Sequence, residues 1–590
     1  MKKPPAILYK SRRCIDEFSQ ITTIDDLTWD VSYEIWYIHI RVRQICDVLN
    51  IPQDTDWYIT ISDQYPDGNV KVYPSAVNGI TDTFYHQNNN GEICNNGLWR
   101  SGSLCLDDPF GRLLGKNKEP TCAEEKFRWN ICRLLQWIQQ ANDGTLVAEN
   151  DSFELPYIIH KSNAKFIFNE DEISYMEWDS SDGKKGTVRV IDKGENKFFT
   201  DTFIASNNDI CKKDSWGEYV FDNNSTFEGV WILLDEIPVI NRWQAPNTYG
   251  ELRQVFKNKG LDWENEMSPL LNRIRDGKRH PLFIGFPVSE KFFEEPVCYH
   301  WWTCILPVLS NKGQPKNGFR RNNKGFKFRD FRILLSKNVK IEWACTENWN
   351  NKQIMRRGMF DRKTIQKRYI IIGAGAIGSV VAEQLVRSGV YNISIMDFDF
   401  LEAGNLTRHT LTMADIGKLK SEALAEHLKN INCHVYANAI NERLSDKNIG
   451  ILNSYDVVID CTAENEVLNI LSNVDSEKII CSISVGFKAN TLYFFYSNKV
   501  SFSVDFFCQK IESLVKADMD TMKTENIPWD GIGCWHPVFP AFFCDISIAS
   551  TVAVAMLNDL IDKGFEDKVC MVFKKKYNAL GVFEGYEKVC

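Results

Sequence analysis

The alternation of apolar and polar positions divides the chain before any chemistry is considered. From Trp57, the run WYITISDQYPDGNVKVYPSAVNGITDTFYHQNNNGEIC sets short alternating segments between Pro, Gly and Asn turns, which predicts a small antiparallel sheet. After Glu124, EEKFRWNICRLLQWIQQAN spaces Phe127, Trp129, Ile131, Leu134, Leu135 and Ile138 largely at helical intervals, predicting a helix that closes an α+β unit near residue 150. From about 151 to 360, apolar strands such as GVWILLDEIPVI and HPLFIGFPV, with the aromatic run YHWWTCILPVL, alternate with polar loops and carry no chemical motif. A βαβ unit follows: a buried strand over Tyr369–Ile372, a Gly-rich turn, a helix through Arg387, a stop at Gly389, and a second apolar strand ending at Asp397. The expected fold class is therefore multidomain α/β and α+β. Its domains are an α+β domain over 1–150, a central mixed domain over 151–360, and a Rossmann-like domain over 361–590.

Length agrees, because 590 residues exceed what one core supports. The 44% hydrophobic and 25% charged fractions argue against extended disorder. With 69 Lys and Arg against 78 Asp and Glu, the net charge of -9 gives no support for a general affinity for nucleic acid. The first 20 residues contain no apolar h-region and no run of 18 apolar residues occurs, so neither export nor membrane spanning is indicated and a cytoplasmic location is expected. Eighteen scattered cysteines, without a Cys-x-x-Cys pair, point to thiols and not to a disulfide framework or a zinc ribbon. The basic run GFRRNNKGFKFRDFRILL reads as a solvated or docking face.

Candidate chemistry begins at Gly373, Gly375 and Gly378. Glycines so spaced let the chain turn tightly and bring backbone to a phosphate, while the following helix offers unpaired N–H groups. Asp397 or Asp399, at the end of the second strand, would hold a ribose. Asn405, Arg408, Lys418 and Lys420 follow closely. Breaking a triphosphate needs such fixed positive charge and a dinucleotide reductase does not, so ATP is favoured over NAD. An NAD-dependent oxidoreductase and a non-catalytic nucleotide-sensing scaffold remain the alternative functions.

GAGAIG, DFDFLEAGNLTRH and DIGKLK resemble the ThiF-type adenylation domain of the ubiquitin-activating-enzyme superfamily, over roughly residues 361–590. The resemblance implies that Arg408 and Lys420 contact ATP phosphates and that Asp397 or Asp399 binds the ribose. It also implies magnesium, for which DVVIDCTAENEV offers Asp460 or Glu464 in place of the family's usual Asp. An acyl-adenylate is preserved by capture on a thiolate, so a nucleophilic cysteine is expected. Cys508 and Cys544 lie among Phe residues and read as packed core thiols, whereas Cys534 sits in a loop with His536 two residues away. GCWHPVFPAF also resembles a catalytic-cysteine motif of bacterial members of the superfamily.

KVYP, HQNNNGEIC, WRSGSLCLDDPFG and the following Trp-containing helix resemble a divergent ubiquitin-conjugating domain over about residues 1–150. Its His-Pro-Asn element corresponds to His86, Gln87 and Asn88. Cys105, with its Cys-Leu-Asp run, is preferred over Cys94 as the nucleophile. Together the two ends resemble the bacterial fused activating and conjugating proteins of CBASS anti-phage operons. That resemblance implies ATP-dependent activation of the C-terminal glycine carboxylate of a CD-NTase-type cyclic-oligonucleotide synthase, capture on Cys534, transfer to Cys105, and conjugation to a target amine. It also implies a homodimer, with neither nucleic acid nor membrane as partner.

Overall fold

The computed structural model describes residues 2–44, 50–106, 119–179, 183–221, 225–313, 318–525, 527, 529 and 538–589. Contacts divide the chain into two compact units, residues 1–214 with 225–348 and residues 215–224 with 349–590.

The first unit holds two sheets. In the N-terminal one, β1 (Ile21–Asp30), β2 (Ile35–Arg43), β3 (Asp54–Ser62) and β4 (Val70–Pro74) form an antiparallel meander in chain order. Alternate β2 residues Trp36, Ile38, Ile40 and Val42 are buried, as period-two geometry requires. They share a core with Phe127, Ile131, Leu134 and Trp137 of the helix Ala123–Asp143. Trp129 and Leu135, expected on that helix's packed face, are only partly buried; Trp137 and Ala141 take the inner positions. The helix ends at Gly144, whose φ of 73° suits glycine.

The second sheet comprises β5 (Lys165–Phe168), β6 (Lys185–Asp192), β7 (Lys197–Ala205), β8 (Ile210–Lys213), β9 (Ser225–Leu233), β10 (Pro281–Val288), β11 (Cys298–Ile305) and β12 (Trp343–Asn348). Its order is β5-β12-β11-β10-β9-β6-β7-β8, and β5 also pairs with β7, which closes the sheet on itself. Phe166, Phe203, Trp231, Phe283 and Trp301 fill one core. The helices Tyr249–Asn258 and Trp263–Arg273 pack Leu252, Phe256, Met267 and Leu271 into another.

The second unit is built on β13 (Tyr369–Ile372), β14 (Asn392–Met396), β15 (Tyr436–Ile440), β16 (Val457–Asp460), β17 (Ile479–Val485), β18 (Thr491–Ser497), β19 (Lys568–Tyr577) and β20 (Phe583–Lys588). The order is β15-β14-β13-β16-β17-β18-β19-β20; β13 to β17 are parallel and the rest add antiparallel. All four residues of β13 are buried, the pattern of a parallel strand covered on both faces. Strand order reverses about β13, which opens a crevice at the C-terminal ends of β13, β14 and β16. Residues 215–221, within the expected central region, belong here: Gly217 N–H donates to the Cys433 carbonyl at 2.7 Å and Trp216 stacks on His434. The helix Phe543–Asp562 is long and apolar enough to cross a membrane by length and composition. Its Ile546, Ala549, Ala553, Leu557 and Ile561 side is buried in the core of this unit.

Candidate active site

The crevice is shaped by a turn that glycine alone permits at two points. Gly373 has φ 90°, in the left-handed region. At Gly378, a Cβ would lie 1.9 Å from the Gly373 carbonyl oxygen, so the helix Ala376–Arg387 can close on the turn only without a side chain. Gly375 faces open space, which leaves its backbone approachable.

Asp397 ties this turn to the end of β14. Its carboxylate accepts the Ala374 N–H at 2.6 Å and the Asp399 N–H at 2.8 Å. Burial raises its pKa, and those two N–H groups oppose the shift. His409, which sequence reasoning passed over, acts from the other side. Its Nε2 donates to the Ala374 carbonyl at 2.7 Å and its Nδ1 accepts the Leu411 N–H at 3.1 Å. Those partners require the neutral ring, and burial accordingly lowers the His409 pKa.

Asp399 is exposed and pairs with Lys420 Nζ at 3.2 Å, while Lys420 N–H donates to the Asp399 carbonyl at 2.8 Å. Opposite them, Arg443 lies 2.6 Å from Glu464 and stands 6.0 Å over the Phe398 ring. Asp397, Asp399, Lys420, Glu442, Arg443 and Glu464 all line the cleft. Arg443 was also missed; its available signal is its place just past the end of β15, where ligands of parallel sheets gather.

Asp460 and Glu464 differ sharply. Asp460 is fully buried; Oδ1 accepts Thr462 N–H and Oγ1 at 3.0 and 2.7 Å, and Oδ2 accepts Ser482 Oγ at 2.8 Å. Glu464 opens on the cleft. Among the described residues, no group of three or more His, Cys, Asp or Glu is arranged to hold a metal ion.

Asn405 and Arg408 are not among the cleft's lining residues. Asn405 Oδ1 accepts the Glu402 N–H at 3.1 Å, and the Arg408 guanidinium donates to the Phe539 carbonyl. Cys534 and His536 lie outside the described residues. Cys508 and Cys544, expected as core thiols, are instead exposed. In the helix Val504–Thr524 it is Phe507 that takes the fully buried position, and the adjacent Cys508 cannot share that face.

The N-terminal domain holds a second candidate centre. Cys105 is exposed, and its N–H donates to the His86 carbonyl at 2.8 Å. Residues 86–88 run antiparallel to 103–105: Gln87 bridges Leu104, Asn88 N–H donates to the Ser103 carbonyl at 2.9 Å, and Asn88 Nδ2 donates to Ser103 Oγ at 2.7 Å. Of the three successive asparagines Asn88 is exposed, whereas Asn89 and Asn90 are buried in hydrogen bonds. Cys94 is half-buried beside Tyr33, Tyr73 and Trp99, and burial raises its thiol pKa.

Residues 144–349 match the family model of the Cap2 central linker domain, and residues 351–558 match the ThiF family. Among curated proteins, the chain is 32% identical over 524 residues to the ATP-dependent ubiquitin transferase-like protein Cap2 of Enterobacter hormaechei subsp. hoffmannii, covering 86% of each chain. It is 35% identical over 127 residues to the molybdopterin-synthase adenylyltransferase of Escherichia coli, spanning 21% of this chain and 51% of that one. Over 109 residues it is 37% identical to the adenylyltransferase and sulfurtransferase UBA4 of Candida glabrata, 18% of this chain and 25% of that one. The phosphate-loop crevice thus lies in a ThiF-family adenylation domain. With the likeness to Cap2 running through both units, the chain belongs to the Cap2 family of ATP-dependent ubiquitin transferase-like proteins.

Proposed function

We propose that the protein adenylates the C-terminal glycine carboxylate of a partner protein, holds the acyl group as a thioester on Cys534, passes it to Cys105 and joins it to a target amine. The observation that carries the first step is the cleft itself: a glycine turn facing Lys420 and Arg443, with the exposed Asp399 at the strand end.

A carboxylate is a poor electrophile until its oxygen becomes part of a good leaving group. Attack of the carboxylate on the α-phosphorus of ATP forms the acyl-phosphate bond and expels pyrophosphate. Lys420 and Arg443 supply fixed positive charge where the phosphoryl oxygens gain negative charge, and the helix N-terminus after Gly375 adds unpaired N–H groups. Asp399 accepts a hydrogen bond from a ribose hydroxyl, since the Asp397 carboxylate is engaged by the turn. Arg408 joins the phosphates on leaving the Phe539 carbonyl. Glu464 is the acid that would hold magnesium, because it opens on the cleft beside Arg443 whereas Asp460 is fully buried with both oxygens hydrogen-bonded. One carboxylate suffices when phosphates and water complete the shell, and the ion would neutralise phosphate charge.

Attack of the Cys534 thiolate on the acyl carbon then releases AMP. Exchange onto Cys105 regenerates the first thiol, and attack by an amine yields the amide and regenerates the second. The exposure of Cys105 and its anchoring beside His86 support this role over Cys94. A cyclic-oligonucleotide synthase of the CD-NTase type is the proposed acyl donor, and a homodimer the proposed assembly. Pyrophosphate exchange into ATP tests the reading: it should require magnesium and a glycine-terminated acyl donor, and show no dependence on NAD. Binding of ATP with no exchange would leave a nucleotide-sensing scaffold.

A further inference from the structure

The central domain grips the loop that precedes Cys105 at several points. Arg242 Nε lies 3.0 Å from Asp82, Thr83 N–H donates to the Asn241 carbonyl, and Trp243 N–H donates to the Thr83 carbonyl. Asn89 Nδ2 donates to the Ala245 carbonyl at 3.1 Å, and Asn247 Nδ2 returns a bond to Asn89 Oδ1 at 3.0 Å. Lys340 pairs with Glu92 at 2.7 Å. These contacts hold the loop as a whole; a further one bears on the residue that touches Cys105.

Glu154 takes His86 twice. Its Oε2 accepts the His86 backbone N–H at 3.2 Å and lies 3.0 Å from His86 Nδ1. His86 has φ 55°, in the left-handed region that few residues other than glycine adopt, though histidine enters it more readily than most. In that conformation the His86 carbonyl receives the Cys105 N–H. The carboxylate is thereby linked, through one residue, to the Cys105 backbone. The His86 and Glu154 side chains are 41% and 36% exposed, so their ion pair contributes little to folding.

We propose that Glu154 of the central domain is a positioning residue for acyl transfer at Cys105, acting through His86. This rests on the reading that Cys105 carries the acyl group. Glu154 touches no reacting atom; it holds the peptide that holds the nucleophile. The hydrogen bond to Glu154 also raises the His86 pKa, with Asp151 adding to it and burial opposing it. A loop fixed in this way has its entropy cost met before the acyl group arrives.

The test uses the full-length protein with magnesium, ATP and a glycine-terminated cyclic-oligonucleotide synthase as acyl donor, comparing the parent with Glu154→Ala, Glu154→Gln and Cys105→Ala. Amide formation should fall at least tenfold in Glu154→Ala and recover to within about threefold of the parent in Glu154→Gln, which retains an acceptor for the His86 N–H. Pyrophosphate exchange should be unchanged in Glu154→Ala and Glu154→Gln. Independently of turnover, alkylation of Cys105 by iodoacetamide, followed by peptide mass spectrometry, should change in Glu154→Ala while alkylation of the exposed Cys122 and Cys132 does not. A role in stability alone would leave the native-state Cys105 rate unmoved. If Glu154→Ala conjugates and alkylates like the parent while Cys105→Ala is inactive, the positioning role is overturned and the Cys105 reading stands. If Cys105→Ala conjugates like the parent, the Cys105 reading falls and this proposal with it.

Discussion

In the nucleotide cleft, the bonds that fix the phosphate turn run from Ala374 to Asp397 and from Ala374 to His409, across 23 and 35 residues of chain. Around Cys105, the bonds that fix the loop reach from His86 to Glu154 and from Asn89 to Asn247, across 68 and 158 residues. The phosphate turn is fixed by its own βαβ unit and the short turns after it, and Arg443 and Glu464 join the cleft from just beyond β15 and β16 of the same domain. The loop around Cys105 takes part of its bonding from a separate domain, so its ordering includes the entropy of closing much longer loops. A site of the first kind tolerates change elsewhere; one of the second kind inherits the stability of the domain that grips it.

The largest effect that sharpens this contrast is expected from Lys420→Ala. It removes one fixed charge from the cleft and should lower pyrophosphate exchange by about 10²–10³, or roughly 3 kcal/mol of transition-state stabilisation. The thermal transition and Cys105 alkylation should stay at parental values. Asn247→Ala comes next, on the other side of the comparison. It removes the two bonds that Asn247 exchanges with the buried Asn89, whose Nδ2 keeps the Ala245 carbonyl and whose Oδ1 keeps the Gly91 N–H, at a cost of about 1 kcal/mol. The unfolding midpoint of the first unit should drop and amide formation weaken, with pyrophosphate exchange intact; a fall in exchange as large as the fall in conjugation would break the contrast.

The smallest effect concerns a tie within the adenylation domain. Glu383 bonds His427 at 2.9 Å and Arg387 at 2.7 Å, joining the helices Ala376–Arg387 and Lys420–Lys429. The His427 hydrogen bond, with help from Arg387, holds its carboxyl down to about 2. A carboxyl depressed in the folded chain stabilises fully above its ordinary unfolded value, near 4.5, and loses that stabilisation as pH falls toward 2. Glu383→Gln should therefore cost about 1 kcal/mol in denaturant titrations at pH 7, with the difference from the parent shrinking between pH 4.5 and 3. A difference that grows on acidification would contradict the assignment.

The same contrast decides what could be read beforehand. Tyr369 to Asp397 was legible because glycine spacing, strand burial and helix length sit in one contiguous stretch. β3, β4 and the helix Ala123–Asp143 were legible from local periodicity, while β1 and β2 were passed over although β2 alternates along its whole length. The grip of Glu154 and Asn247 carries no local signal, because an isolated Glu or Asn in a polar loop looks like any solvated residue. His409 and Arg443 act through tertiary neighbours, and the exposure of Cys508 and Cys544 depends on which helix face packs, which a Phe-rich neighbourhood does not specify. Asp460 looked like a ligand in the sequence because its neighbours Thr462 and Ser482 come from a turn and a separate strand.

The central claim is that one chain spends ATP in its ThiF-family domain to load Cys105. It is tested most directly by incubating the full-length protein with magnesium, ATP and a glycine-terminated cyclic-oligonucleotide synthase, quenching without reductant, and mapping acylated cysteines by mass spectrometry. The account predicts an ATP-dependent, thiol-labile acyl group on Cys105 in the parent and in Cys94→Ala, and none on Cys105 in Lys420→Ala or Cys534→Ala. An acyl group on Cys94 with Cys105 unmodified, or Cys105 loaded to the parental level in Cys534→Ala, would contradict it.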